Sequence, residues 1–283
     1  MALAVGVAFA SNTSLAAYSY QGGATPLAVL LARSSIAFGL LYGLLGLQGV
    51  PRRLPPARRR GALLLGCVFA SYSYGVLVAI KLLPVGLVVA TFYTFPLLVA
   101  VIEWWSGRQP FSGRTALALL IAFVGILFAL DVFEPRFNRF GILLCMYGAL
   151  AVTVVMTFSG RVRGEGDSRP VTLHMLGTAV AVFSLVAVVH GGVSLPHTPA
   201  AWAAFAGAIA FYSFGIITLF VVLAEIGPVK ASLFMNIEPA ASVLFGFLLL
   251  GQHLGPRQLF GITLVVSAVV LVESAKLARV MRA

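Results

Sequence analysis

Ten apolar runs follow one another along the chain, each separated from the next by glycine, proline or charge: Ala2–Tyr18, Pro26–Leu47, Gly61–Leu83, Val85–Trp105, Thr115–Leu130, Phe140–Ser159, Val171–Val189, Ala200–Leu223, Val229–Leu250 and Leu259–Val272. A helix needs about 20 apolar residues to cross a bilayer. The runs are continuously apolar and lack the strict alternation of a lipid-facing strand, so they predict helices and exclude a transmembrane β-barrel. The third and fourth runs are the tightest pair, with Pro84 alone between them. No basic segment precedes the apolar start of the chain, which is therefore expected to be a first spanning helix and not a cleaved signal.

Composition agrees with this pattern. Hydrophobic residues make up 60% of the 283 positions, charged residues 10%, and the mean hydropathy is +1.04; soluble domains carry about 25% charged residues. The net charge of +11 would suggest a nucleic-acid partner in a soluble protein, but these bases lie between apolar runs. Their distribution instead orients the chain. Fourteen Lys and Arg fall in one set of alternate loops, including Arg52, Arg53, Arg58, Arg108, Arg114, Arg161, Arg163, Arg169 and Lys230, against Lys81, Arg136, Arg139 and Arg257 in the other. By the positive-inside rule both termini are expected in the cytoplasm, in a protein of the plasma (bacterial inner) membrane. Cys67 and Cys145 sit inside apolar runs and read as small core residues.

The two halves of the chain resemble each other. Ala-Thr-Phe-Tyr-Thr-Phe-Pro ending at Pro96 aligns with Leu-Phe-Met-Asn-Ile-Glu-Pro ending at Pro239, an offset of 143 that also pairs Gln109 with Gln252 and Arg114 with Arg257. The expected division is 1–133 and 137–283, with five helices in each half. An odd number of crossings forces the second copy upside down relative to the first. The fold class expected is thus all-α and polytopic: ten transmembrane helices as two inverted five-helix repeats around a central cavity, the architecture of alternating-access carriers.

The sequence resembles the drug/metabolite transporter superfamily, specifically its ten-helix EamA-type exporters, over essentially its whole length. The resemblance rests on Arg33, on the segment Pro84 to Pro96, on Ile237 to Leu254, and on Arg-Gln-Leu-Phe-Gly at Arg257 to Gly261. It implies a cavity surrounded by the third, fourth, eighth and ninth helices with the first and sixth, and outward movement of amino acids, other metabolites or drugs without ATP hydrolysis. The content of hydroxyl and aromatic residues is most similar to that of aromatic amino-acid exporters. Gln109 and Gln252 stand where the family usually has Glu, which counts against an ionised group at those positions.

Candidate functional residues lie at depth in the runs. Pro96 and Pro239 each remove a backbone hydrogen bond and free the carbonyl four residues earlier, Phe92 and Met235, so each is a candidate hinge or an ordinary packed kink. Asn236, which shares a helix face with Ser232, can hydrogen-bond a zwitterion or join two helices; Thr91 shares a face with Thr94. Glu238 is an intramembrane carboxylate, a functional position by default, though a regular helix would point it away from Asn236. Arg33 can hold a substrate carboxylate or pair internally. Tyr74, Tyr93, Tyr147 and Tyr212 can stack an apolar group and hydrogen-bond a polar one, or simply pack; on the third helix the face shared by Ser71, Val78 and Lys81 favours Tyr74 over Tyr72. Asn12 is a further candidate for the cavity lining. Glu103, near the cytosolic end of its span and able to reach the interface, is expected to be structural, and Gly39 and Gly43 form a G-x-x-x-G expected to allow close packing inside the bundle.

These residues favour a secondary transporter of small neutral or zwitterionic metabolites, amino acids foremost, over an exporter of drugs or other metabolites. A channel is a weaker alternative, and an intramembrane enzyme weaker still. No nucleotide-binding glycine loop, no H-E-x-x-H and no metal-ligand spacing occurs in the sequence, so no enzyme activity, metal or cofactor is expected. The expected partners are a small-molecule substrate and the lipid bilayer, not nucleic acid, with the protein a monomer or a homodimer.

Overall fold

The structure, a computed structural model, describes residues 1–79, 82–83, 85–130, 138–250 and 255–280. Lys81, Pro84, Arg136, Gln252, His253 and Arg282, and the expected boundary between the repeats, lie outside them. Among the described residues there are twelve helical segments and no strand: α1 (Ala2–Gln21), α2 (Pro26–Leu47), α3 (Pro56–Ala79), α4 (Val85–Phe92), α5 (Phe95–Trp105), α6 (Gly113–Ala129), α7 (Arg139–Arg163), α8 (Arg169–Val189), α9 (Pro199–Ile226), α10 (Pro228–Met235), α11 (Ile237–Leu250) and α12 (Pro256–Val280). The pairs α4/α5 and α10/α11 are halves of single broken helices, so the twelve segments amount to ten helices. Five stretches are long and apolar enough to cross a membrane by length and composition: Pro26–Leu47, Leu87–Trp105, Arg139–Arg163, Arg169–Val189 and Pro199–Ile226.

Helix starts follow local chemistry. Thr25, Ser112, Asn138 and Thr198 each accept a hydrogen bond from a backbone N–H of the first turn, which satisfies donors that have no partner within the helix. Proline opens α2, α8, α9 and α10, where its missing N–H costs nothing.

Packing follows the two-repeat scheme. α1 lies along α9, and their counterparts in the other half, α7 and α3, lie along each other. α1 also meets α10 and α11, as α7 meets α4 and α5, while α2 with α8 and α6 with α12 pair across the approximate two-fold. Such exchange of partners defines two repeats of five helices, the second inverted because five is odd. The α6–α12 seam is held close by glycine: a β-carbon on Gly125 would come within 2.8 Å of the Gly261 carbonyl, and one on Gly261 would overlap the backbone of Ala129. Gly39 and Gly43 do not behave this way. Neither has any atom within 4 Å of where a β-carbon would stand, and both face outward, because α2 turns Ser34, Ala37, Leu41 and Leu45 to the core. The expectation that this motif packs inside the bundle is corrected.

Candidate functional site

The two broken helices stop where proline chemistry dictates. α4 ends at Phe92, four residues before Pro96, and α10 ends at Met235, four before Pro239. Across the first break the Thr94 amide and hydroxyl both donate to the Thr91 carbonyl, at 3.3 and 2.8 Å. At the second, a single residue, Asn236, leaves the helix, with its amide donating to the Leu233 carbonyl at 3.1 Å. α5 packs against α10, so the two breaks lie near each other within the fold.

A polar group forms around these breaks. Glu238 falls in the first turn of α11, where the exposed N–H groups of a half-helix favour negative charge. Its carboxylate accepts a hydrogen bond from the Thr13 hydroxyl of α1 at 3.3 Å, and Tyr93 stands beside it. Arg33 lies within electrostatic reach of Glu238 and of Tyr72 and Tyr212. Its guanidinium carbon sits 4.2 Å above the centroid of the Tyr212 ring, and its Nε is buried without a partner. The hydroxyls of Tyr212 and Ser34 face each other yet neither reaches hydrogen-bond geometry with anything, and Oδ1 of buried Asn236 is also unpaired. Buried polar atoms are normally satisfied. Five unsatisfied side-chain atoms occur among the described residues, and four of them belong to Arg33, Ser34, Tyr212 and Asn236.

An aromatic wall completes the group. The Tyr72 ring stacks on Phe92 with centroids 6.0 Å apart, and Phe92 in turn meets Tyr93 at 5.8 Å and Phe95 at 5.5 Å. Phe9 meets Tyr212 edge-on at 6.0 Å from the α1 side.

Arg33, Tyr93, Tyr212 and Glu238, all candidates from sequence, thus stand in one group, with Asn236 at the helix break and Thr91 one turn ahead of the other. Others stand elsewhere. The Tyr74 hydroxyl bonds Nε2 of His190 at the end of α8, at 3.1 Å, and Tyr147 bonds Ser71 at 2.6 Å on an exposed seam between α3 and α7. Asn12 is buried between helices; in the amide orientation that satisfies both of its neighbours its nitrogen donates to the Ala208 carbonyl of α9 at 3.1 Å. Pro96 and Pro239 are buried at the starts of α5 and α11. Glu103 is held inside the protein, its side chain only 4% exposed and paired with Arg108 at 3.0 Å. Tyr72, Phe92, Thr13 and Ser34 belong to the group and were not singled out by sequence. The sequence sets Tyr72 below Tyr74, and it marks Phe92 as the residue whose carbonyl Pro96 frees.

A larger cavity of about 1000 Å³ lies apart, between α2, α3 and α8, with mostly apolar walls that include Phe38, Tyr42, Leu173 and Gly177. None of the candidate residues lines it. No group of three or more His, Cys, Asp or Glu that could hold a metal occurs among the described residues.

Two inverted repeats of five helices, each with its fourth helix broken beside a buried polar group, are an architecture found among membrane transporters. The chain belongs to the EamA-like transporter family, whose sequence profile matches it twice, over residues 1–130 and 139–274. It is therefore a membrane transporter of the drug/metabolite transporter superfamily and not an enzyme. No curated protein matches it. A solved crystal structure of a protein shares the fold, with a TM-score of 0.74 at 20% identity over 95% of this chain and 96% of that one.

Proposed function

We propose that this transporter exports small zwitterionic solutes, amino acids with aromatic or hydrophobic side chains among them, by alternating access, with both termini in the cytoplasm and Pro96 and Pro239 acting as hinges. The observation that carries this reading is the placing of opposite charges, Arg33 and Glu238, within electrostatic reach of each other in one group walled by Tyr72, Phe92, Tyr93 and Tyr212. A carboxylate suits the Arg33 guanidinium, whose buried Nε has no partner and can form a charge-assisted hydrogen bond. An ammonium suits Glu238, and an apolar or aromatic side chain suits the ring wall. Unsatisfied hydroxyl and amide atoms of Ser34, Tyr212 and Asn236 add neutral hydrogen-bonding capacity without a large desolvation penalty.

The test is counterflow in proteoliposomes with radiolabelled Phe, Trp, Thr and Met, with and without unlabelled solute inside and an imposed proton gradient. Saturable uptake accelerated by preloading is expected for the aromatic amino acids, and Glu238→Gln should weaken it by about tenfold or more, the loss of one charge-assisted contact. Absence of uptake of every amino acid by well-folded protein would overturn the substrate assignment and turn attention to drug-like or other metabolites.

A further inference from the structure

A second cavity, of about 290 Å³, lies at the end of the bundle where α5, α7 and α9 finish and α8 and α10 begin. Its charged lining is unbalanced: Arg108, Arg161 and Arg163 against Glu103 alone. Glu103 is already engaged by Arg108, and the lining holds no second carboxylate to face Arg161 and Arg163. Phe158 lies between Arg108 and Arg161, whose guanidinium carbons stand 5.6 and 4.4 Å from its ring centroid; these contacts restrain both groups. Nε of Arg163 is buried and has no partner. Asp167, outside the lining, lies within electrostatic reach of Arg163 but is held by Arg169 at 2.9 and 3.0 Å. Two helix N-caps, Ser168 of α8 and Gly227 of α10, also line the cavity; the Arg169 N–H of α8 already donates to the Asp167 carboxylate at 2.9 Å, whereas no side-chain cap hydrogen bond is made at Gly227. Helix N-termini and clustered arginines both favour an oxyanion.

We infer that this cavity binds the carboxylate of a small organic solute, as a site distinct from the Arg33–Glu238 group. The inference rests on the amino-acid reading above only for the identity of that solute. The volume is at the small end of ligand sites, too small for a nucleotide and sufficient for one carboxylate with a short apolar tail. Met156, Phe220 and Leu223 supply an apolar wall for such a tail.

The probe is 3-phenylpropionate, which keeps the carboxylate and ring of phenylalanine and lacks its ammonium, with 3-phenylpropionamide as the neutral control. Binding is measured by calorimetry at constant ionic strength on full-length protein in phosphatidylcholine nanodiscs, in an Arg33→Gln background that removes the central cation. Saturable binding of the acid is expected, at least tenfold tighter than the amide, and Arg161→Gln with Arg163→Gln should abolish the difference. Should Arg33→Gln fail to fold, wild type is compared with the Arg161→Gln/Arg163→Gln protein, and one fewer carboxylate bound per chain is expected. Equal binding with and without the two arginines overturns the inference. In phosphatidylglycerol nanodiscs, loss of the acid's binding would reassign the site to a lipid phosphate and overturn the solute assignment. Amino-acid uptake by the wild type reports separately on the proposed function: uptake without this binding leaves that reading standing, and binding without uptake leaves this one.

Discussion

The guanidinium of Arg33 lies over the ring of Tyr212, 4.2 Å from its centroid, and this contact leaves the Arg33 Nε and the Tyr212 hydroxyl both buried and both unpaired. Each group is oriented by packing, with hydrogen-bonding capacity left over. That combination of preorganisation and unmet need is what a ligand requires of a site. Arg33→Gln should therefore lower the apparent affinity for amino acids by about ten- to a hundredfold, the range of a charge-assisted hydrogen bond. Arg33→Lys should recover only part of the loss, because an ammonium cannot reproduce the planar donor fork. Uptake kinetics of the two variants provide the check, and a lysine variant with wild-type affinity would exclude this role for Arg33.

The positions of the tyrosines make a sharper comparison. Tyr72 stacks on Phe92 in the wall of the group, whereas Tyr74 is tied to His190 and Tyr147 to Ser71. Tyr72→Ala should raise the KM for phenylalanine more than for threonine, while Tyr74→Phe and Tyr147→Phe should transport both at the wild-type rate. A transport defect in either phenylalanine variant, at normal expression, would contradict the assignment.

Pro239→Ala should restore a hydrogen bond to the Met235 carbonyl and join α10 to α11. A backbone hydrogen bond contributes about 0.5–1.5 kcal/mol, so this variant is expected to melt higher than wild type. If the break serves as a hinge, the same change should slow counterflow about tenfold or more, and Pro96→Ala should act likewise. Higher melting together with unimpaired counterflow would remove both prolines from the mechanism.

The α6–α12 seam gives a test of the fold itself. Gly261→Ala would drive a methyl group into the backbone of Ala129 and Gly125, and overpacking of this kind costs about 1–3 kcal/mol. Gly39→Ala and Gly43→Ala meet open space and should be neutral or gain up to about 1 kcal/mol of helix propensity. Thermal unfolding of the three proteins in one detergent would separate them, and equal melting of all three would argue against the close seam.

Outside the spans, Arg169 beside Asp167 holds its carboxyl below the usual carboxylate range through a side-chain hydrogen bond. A lowered folded-state value means that the ionised form stabilises the fold at pH above the ordinary Asp value, and that this contribution is lost as pH falls through the lowered one. Asp167→Asn should thus melt slightly below wild type at pH 7 and indistinguishably from it once Asp167 is protonated at strongly acidic pH. A gap that widens on acidification would reverse the sign.

Much of this protein is written in its apolar runs and its prolines. Run length determines that helices form and how many there are, because lipid leaves the backbone no partner but itself. The ends of α4 and α10 were legible from Pro96 and Pro239, since a missing N–H acts four residues back whatever surrounds it. The matching prolines and glutamines gave the repeat, and the odd helix number its inversion. Tertiary structure alone decided which polar residues meet. Tyr72 and Tyr74 differ by two positions on a helix apolar all round, so no amphipathic stripe tells inward from outward, and only the approach of α4 and α9 selects Tyr72. Gly39 and Gly43 carry a packing motif, yet α2 presents its other face to the core. Arg108, Arg161 and Arg163 come from the ends of two helices in different repeats and share a cavity only once the halves interlock, a juxtaposition that one-dimensional spacing does not encode.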